Sequence, residues 1–278
     1  MAIGPLVSAG WLLDRVGQRD LVVVDCRFAL GLPGEGRLAW EDAHIPGAHY
    51  LDVDEDLSAP PGTAGGGRHP LPAAEDFAAA AASAGIGADS TVVAYDAAGE
   101  GGAARLWWLL RHFGHDDVAV LDGGLRAWRA AGGPLDDLPP RPWSSGAPFV
   151  PRERAGDMAD AEELSGRLED DALVLVDARA PARFRGEVEP VDPVAGHIPG
   201  ARNVSFASLA PDGRFLDPAE LRARLDPGDG RELVAYCGSG ITASTVVLAA
   251  EAAGLEARLY PGSWSDWCAR DLPVARGG

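Results

Sequence analysis

Lysine is absent: the 24 basic side chains of the chain are all arginine, and 42 acidic residues leave a formal net charge of −18. A nucleic-acid surface needs clustered positive charge to displace counterions, and an anionic membrane repels a chain of this sign, so neither is expected as a partner. An anionic substrate, by contrast, would have to be met by a few locally placed arginines. Cysteine is scarce, with three residues at 26, 237 and 268. An odd count without a CxxC pair excludes a disulfide framework and a cysteine-based zinc site, and no metal is expected. No apolar run approaches the ~18 residues that a membrane-spanning helix requires. The opening MAIGPLVSAGWLLDRVGQRD lacks a basic segment followed by an apolar core, so it does not read as a signal peptide. The expected compartment is the cytoplasm.

At 278 residues, with 46% apolar and 24% charged side chains, the chain has ordinary globular composition and a length that suits two domains. It also repeats itself. LVVVDCR (21–27), HIPGA (44–48), TVVAYDAAG (91–99) and VAVLDGGLRAW (118–128) recur in the same order as LVLVDAR (173–179), HIPGA (197–201), ELVAYCGSG (232–240) and ARLYPGSWSDW (257–267). Four matched segments in one order mark a duplicated domain. The expected boundaries are 1–138 and 153–278. The proline-rich stretch between them, 139–152 within PLDDLPPRPWSSGAPFVPRER, disfavours helix and central strand and reads as a linker.

Uninterrupted apolar runs such as LVVVD, TVVAYD and VAVLD are what parallel strands buried on both faces require. They alternate with helix-length stretches at 73–85, 102–114 and 243–254 that end at glycine. That alternation predicts an α/β fold, each copy a parallel sheet with helices on both faces. Both HIPGA segments read as turns entering a strand, with His44 and His197 bonded locally rather than catalytic.

In an open parallel sheet, chemistry gathers at the carboxyl ends of the strands. The run ELVAY ends at Cys237, followed by Gly238, Ser239, Gly240, Ile241 and Thr242, with a helix expected from about Ala243. The two glycines let successive amides curl inward as an anion nest, and the helix turns its positive end to the same point. Both favour a thiolate, the nucleophilic form. Ser239 and Thr242 add hydroxyls. Cys26 and Cys268 lack such a loop and read as buried structural cysteines. The first copy carries Asp96 where the second carries Cys237, so only one copy has a nucleophile.

The order D-x-R, HIPGA, Y-C-G-S-G-I-T-A and YPGSWSDW resembles the tandem rhodanese-like sulfurtransferases over nearly the whole chain. The resemblance implies two rhodanese-like domains, the first inactive and the second catalytic, and sulfur transfer through a persulfide on Cys237. Thiosulfate-preferring members resemble C-R-K-G-V-T; Cys237 to Thr242 is similar to the C-G-S-G-V-T of mercaptopyruvate-preferring members, with isoleucine for valine. By the same resemblance, Arg183 in ARFRGE binds the substrate carboxylate. The following EVEPVDPVAG (187–196) has no basic residue where members carry a further arginine, which leaves Arg185 as the residue to compensate. Ser239 matches the serine of a relay completed by a histidine and an aspartate from the inactive copy, here His69 in RHPLP and Asp54 in LDVDED. Such an interdomain site would explain why a copy without cysteine is kept. Arg179 reads as a structural partner of Asp177, and Ser244 as a helix residue away from the sulfur.

The expected reaction is a double displacement from a 2-oxo acid thiol to cyanide or a thiol acceptor such as a thioredoxin-like protein, with no metal or organic cofactor. Alternatives are thiosulfate sulfur transfer and a persulfide-carrying binding module without turnover. A phosphatase of C-x5-R type is excluded, because the sixth residue after Cys237 is Ala243.

Overall fold

The β-branched runs found in the sequence form the strands, and their register fixes where the loops between them emerge. The computed structural model describes residues 3–62, 67–140 and 147–278, so part of the expected linker lies outside the described residues. In the first unit, β1 (Leu6–Val7), β2 (Leu21–Asp25), β3 (His49–Tyr50), β4 (Thr91–Tyr95) and β5 (Val118–Leu121) form an all-parallel sheet in the order β1-β5-β4-β2-β3. In the second, β6 (Leu173–Asp177), β7 (Arg202–Asn203), β8 (Glu232–Tyr236) and β9 (Arg258–Leu259) form a parallel sheet in the order β7-β6-β8-β9. A single parallel bridge, Met158 with Leu259, stands at the outer edge of β9 much as β1 stands beside β5.

Alternation along the strands divides the side chains between two buried faces. On one face of the first sheet, Val23, Val93, Tyr95, Ala119 and Leu121 pack with Ala9, Leu12, Leu125 and Trp128 from the helices Ala9–Leu13 and Gly124–Ala130. The intervening Val22, Val24, Val92 and Ala94 are buried as well, and the helix Gly102–His112 packs against β4 and β5. In the second unit, Leu173, Leu175, Val234 and Tyr236 join Leu164, Trp264 and Trp267 on one face. The helix Ile241–Ala252 covers β8 and β9. Helices therefore cover both faces of each sheet, and among the described residues the edge strands are two residues long, too short to template aggregation. No helix among the described residues is long and apolar enough to cross a membrane.

Two segments cross the boundaries drawn from the repeats: Pro60–Leu71 belongs to the second unit and Asp212–Arg214 to the first. The first of these matters chemically, because it carries Arg68 and His69 into the unit that holds Cys237.

The histidines of the two HIPGA segments bond locally. His44 Nδ1 lies 2.7 Å from the Trp40 carbonyl and His197 Nδ1 2.7 Å from that of Phe184. Arg179 closes a bidentate fork on buried Asp177 and Arg27 does the same on Asp25, so each copy spends its D-x-R arginine on its own strand end.

Candidate active site

In the second sheet the chain leaves β6 towards one edge for β7 and returns to β8 on the other side of β6. The crevice between the carboxyl ends of β6 and β8 is therefore the switch point at which open α/β sheets bind ligands. Cys237 follows β8 directly. Its amide donates to Ser263 Oγ at 3.0 Å, and the amides of Trp264 and Ser265 donate to the carbonyls of Cys237 and Gly238. These bonds tie the loop to the start of the helix Ser263–Ala269.

The helix after the loop begins at Ile241, two residues earlier than the sequence indicated, because Gly240 adopts a left-handed conformation with φ 86° and caps it. A Cβ at position 240 would stand 2.4 Å from the Pro261 carbonyl oxygen, so both the dihedral and the space require glycine. The curl brings the Gly240 amide to 3.1 Å from Cys237 Sγ, where it donates to the sulfur. Ile241 and Thr242 supply further amides at the helix start, which have no intrahelical acceptor. Ser244 sits in the helix and bonds the Gly240 carbonyl. Cys237 is 2% exposed, so sulfur attached to it is sheltered from water.

The first copy uses the same cradle differently. Asp96 fills it with its own carboxylate, accepting from the amides of Gly99 at 2.6 Å, Gly101 at 3.0 Å and Ala103 at 3.4 Å. Burial pushes this carboxyl up, and the amides pull against that shift. The anion site of the first copy is thus occupied by a covalently attached anion. Replacing Asp96 by alanine orphans these buried donors, each worth about 1–3 kcal/mol. The expected loss of stability is roughly 2–4 kcal/mol in urea denaturation, with sulfur transfer retained.

Around Cys237, the structure brings Ser239 and His69 together: Ser239 Oγ lies 2.6 Å from His69 Nδ1, and both are buried. Asp54 is an exposed residue of the first unit whose amide donates to Asp52 Oδ1 at 2.8 Å. Arg183 stands at Gly238, for a Cβ built there would lie 3.6 Å from its Nη1. The back of its guanidinium is held by Glu189 Oε1 at 2.6 Å and Asp192 Oδ2 at 3.1 Å, and both acids are nearly inaccessible. Burial works to raise the Glu189 carboxyl, but Arg183 and the amides of Asp192 and Val191 outweigh it and hold it below the usual range.

A carboxyl depressed in the folded state stabilises the fold above its ordinary pKa, and that contribution disappears as pH falls through the depressed one. Glu189→Gln is therefore expected to lower the urea midpoint at neutral pH, with the gap to the wild type closing in acid.

Arg185 is paired on the surface. Its fork is closed by Glu187, Nε to Oε1 at 2.7 Å and Nη2 to Oε2 at 2.9 Å, on the surface. This pair is solvent-exposed, so it holds Arg185 only weakly.

The sequence reading missed three groups. Arg68 Nη2 would stand 3.0 Å from a Cβ on Gly238, and its Nη1 is paired with Asp192 Oδ1. Glu189 and Asp192, which the sequence did not single out, are the buried supports of the two arginines. The remaining cysteines are unsuited to nucleophilic work. Burial and Asp25 push the Cys26 thiol up, and burial and Asp192 push Cys268 up to about 11. Among the described residues no cluster of His, Cys, Asp or Glu could hold a metal ion.

Two copies of one parallel α/β unit, with a nucleophilic cysteine loop in the second and a carboxylate in its place in the first, define a duplicated protein with a single thiol centre. The model of the rhodanese-like domain matches residues 8–131 and again 160–270, and the chain belongs to that family. It is 46% identical over the full length of both chains to a protein of Pseudomonas aeruginosa described as a "probable 3-mercaptopyruvate sulfurtransferase". It is 34% identical to the thiosulfate sulfurtransferase of Rattus norvegicus, over 98% of this chain and 94% of that one. Among solved structures, SseA of Escherichia coli, a 3-mercaptopyruvate sulfotransferase, superposes with a TM-score of 0.80 at 31% identity, over 95% of this chain and all of the other.

Proposed function

We propose that the protein transfers sulfane sulfur from 3-mercaptopyruvate to a thiol or cyanide through a persulfide on Cys237, releasing pyruvate. The Cys237 thiolate attacks the donor sulfur, the S–S bond forms as the C–S bond breaks, and the bonding electrons leave as the enolate of pyruvate. The donor's thiol proton ends on the enolate carbon, so the reaction needs a group to carry it. Thiosulfate makes no such demand: the same attack expels sulfite, and no proton moves. The observation that carries the reading is the His69–Ser239 pair, a proton relay beside the sulfur that only the first donor requires. In the second half, cyanide or a thiolate attacks the outer sulfur and the Cys237 thiolate departs, stabilised by the Gly240 amide. Pyruvate leaves before the acceptor reacts, which gives ping-pong kinetics.

Arg183 holds the donor carboxylate, because a planar guanidinium with an unpaired edge matches it in shape and charge. No organic cofactor or metal enters either half-reaction. The acceptor is a small thiol or a thioredoxin-like protein, and the setting is cytoplasmic, where acceptor thiols stay reduced.

A second reading, thiosulfate as donor, is favoured by the two guanidinium groups at Gly238, which suit a dianion. The two separate in steady-state transfer to cyanide. A kcat/KM at least about tenfold higher for mercaptopyruvate, near 1.4 kcal/mol in transition-state energy, supports the first. Equal or reversed preference supports the second.

A further inference from the structure

Position 238 is where the family's thiosulfate-type loops place an arginine, and here it is glycine between two guanidinium groups that come from elsewhere. A Cβ on Gly238 would meet Arg68 Nη2 at 3.0 Å and Arg183 Nη1 and Nη2 at 3.6 and 3.7 Å. A side chain there would press on the two guanidinium groups, and a cationic one would meet two like charges. The two arginines are also built as a pair. Asp192, buried, lies between them, with one oxygen on Arg68 Nη1 and the other on Arg183 Nη2. Glu189 takes Arg183 Nε and Nη2. Every paired nitrogen of the two groups therefore faces the supporting acids. Arg183 Nη1 and Arg68 Nη2, the nitrogens nearest Gly238, have no hydrogen-bond partner among the described residues, and neither has the buried Arg68 Nε. Unpaired guanidinium N–H groups beside a buried thiol are an anion site awaiting its anion.

We propose that Arg68 is the second arm of the substrate-carboxylate clamp. The donor's carboxylate bridges Arg68 Nη2 and Arg183 Nη1, with Asp192 holding both guanidinium groups at a fixed spacing. The inference rests on the mercaptopyruvate reading above and deepens it: the cation absent from EVEPVDPVAG is supplied by the segment that also carries His69. Carboxylate recognition and proton transfer are thereby joined in adjacent residues. An oxo acid that seats its carboxylate on Arg68 brings its carbon chain to the His69–Ser239 pair, whereas a donor without a carboxylate gains nothing from this arm.

The test compares wild type, Arg68→Ala, Arg68→Lys and Arg183→Ala with two donors, 3-mercaptopyruvate and its carboxylate-free analogue mercaptoacetone, in single turnover so that slow transfer is read. Melting temperature and circular dichroism verify the fold. Arg68→Ala is expected to lower kcat/KM for mercaptopyruvate about 10- to 100-fold, mainly through KM, and to change mercaptoacetone transfer less than about threefold. Arg68→Lys, which keeps the charge and loses the fork, falls between. The double variant Arg68→Ala with Arg183→Ala loses less than the product of the single losses, because both grip one carboxylate. Equal losses with both donors would overturn the proposal by making Arg68 a support for His69 or Asp192, and so would an unchanged mercaptopyruvate KM. A wild type that takes sulfur from thiosulfate and none from mercaptopyruvate overturns the donor reading itself, a separate signature, and the clamp falls with it.

Discussion

Cys237→Ser abolishes sulfur transfer from every donor, by at least about 10³-fold in kcat, while the protein stays folded. A hydroxyl in this loop is no substitute for the thiolate, because the step needs a sulfur nucleophile that can also leave as an anion when the acceptor attacks. Serine fits the space, the Gly240 amide that donates to the sulfur stays in reach, and the bond from the backbone amide of residue 237 to Ser263 Oγ is unaffected, so the loss is chemical rather than structural. Cys26→Ser and Cys268→Ser provide the contrast. Neither thiol has the glycine cradle, and burial holds both in the protonated form at neutral pH, so activity is expected to stay within about twofold. Initial rates of thiocyanate formation with each donor, alongside thermal melting of each variant, check all three.

His69→Ala and Ser239→Ala separate the two donors. With mercaptopyruvate, removing a positioned proton carrier is expected to lower kcat by about 10²–10⁴-fold. With thiosulfate, which expels sulfite without a proton, the rate should change less than about threefold. The hydrogen bond between Ser239 Oγ and His69 Nδ1 makes the two residues a unit, so the double variant should lose little more than either single one. A parallel drop with both donors would assign the pair to holding the loop in place. That outcome would leave the enolate without a protein proton source and favour thiosulfate.

The parts of this molecule that follow simple periodicity were legible in the sequence. Five-residue apolar runs ending in Asp or Tyr became strands, and the repeat of four segments gave the duplication. Cys237 stood out because strand, glycine loop and helix coincide there. What was not legible depends on contacts distant in sequence. Arg68 lies between a glycine tract and a histidine, and nothing local says that its guanidinium reaches Gly238, 170 positions away. The available signal was indirect: a net charge of −18 requires a local cation at an anion site, and Arg68 is the basic neighbour of His69. Nothing in EVEPVDPVAG marks Glu189 and Asp192 as buried, because burial is set by the tertiary fold. Nothing local separates Arg185 from Arg183 in ARFRGE, and only the structure shows Glu187 closing the fork of Arg185. The helix began early because the left-handed turn at Gly240 can cap it without a side chain.

The most direct test of the account is a single turnover without acceptor. One equivalent of 3-mercaptopyruvate is mixed with excess protein, pyruvate is quantified, and intact and peptide mass spectrometry locate any modification. The account predicts one pyruvate per donor consumed and one added sulfur atom on the peptide bearing Cys237, lost on addition of cyanide as thiocyanate appears. Pyruvate without added sulfur on Cys237, or sulfur carried on Cys26 or Cys268 instead, would contradict it.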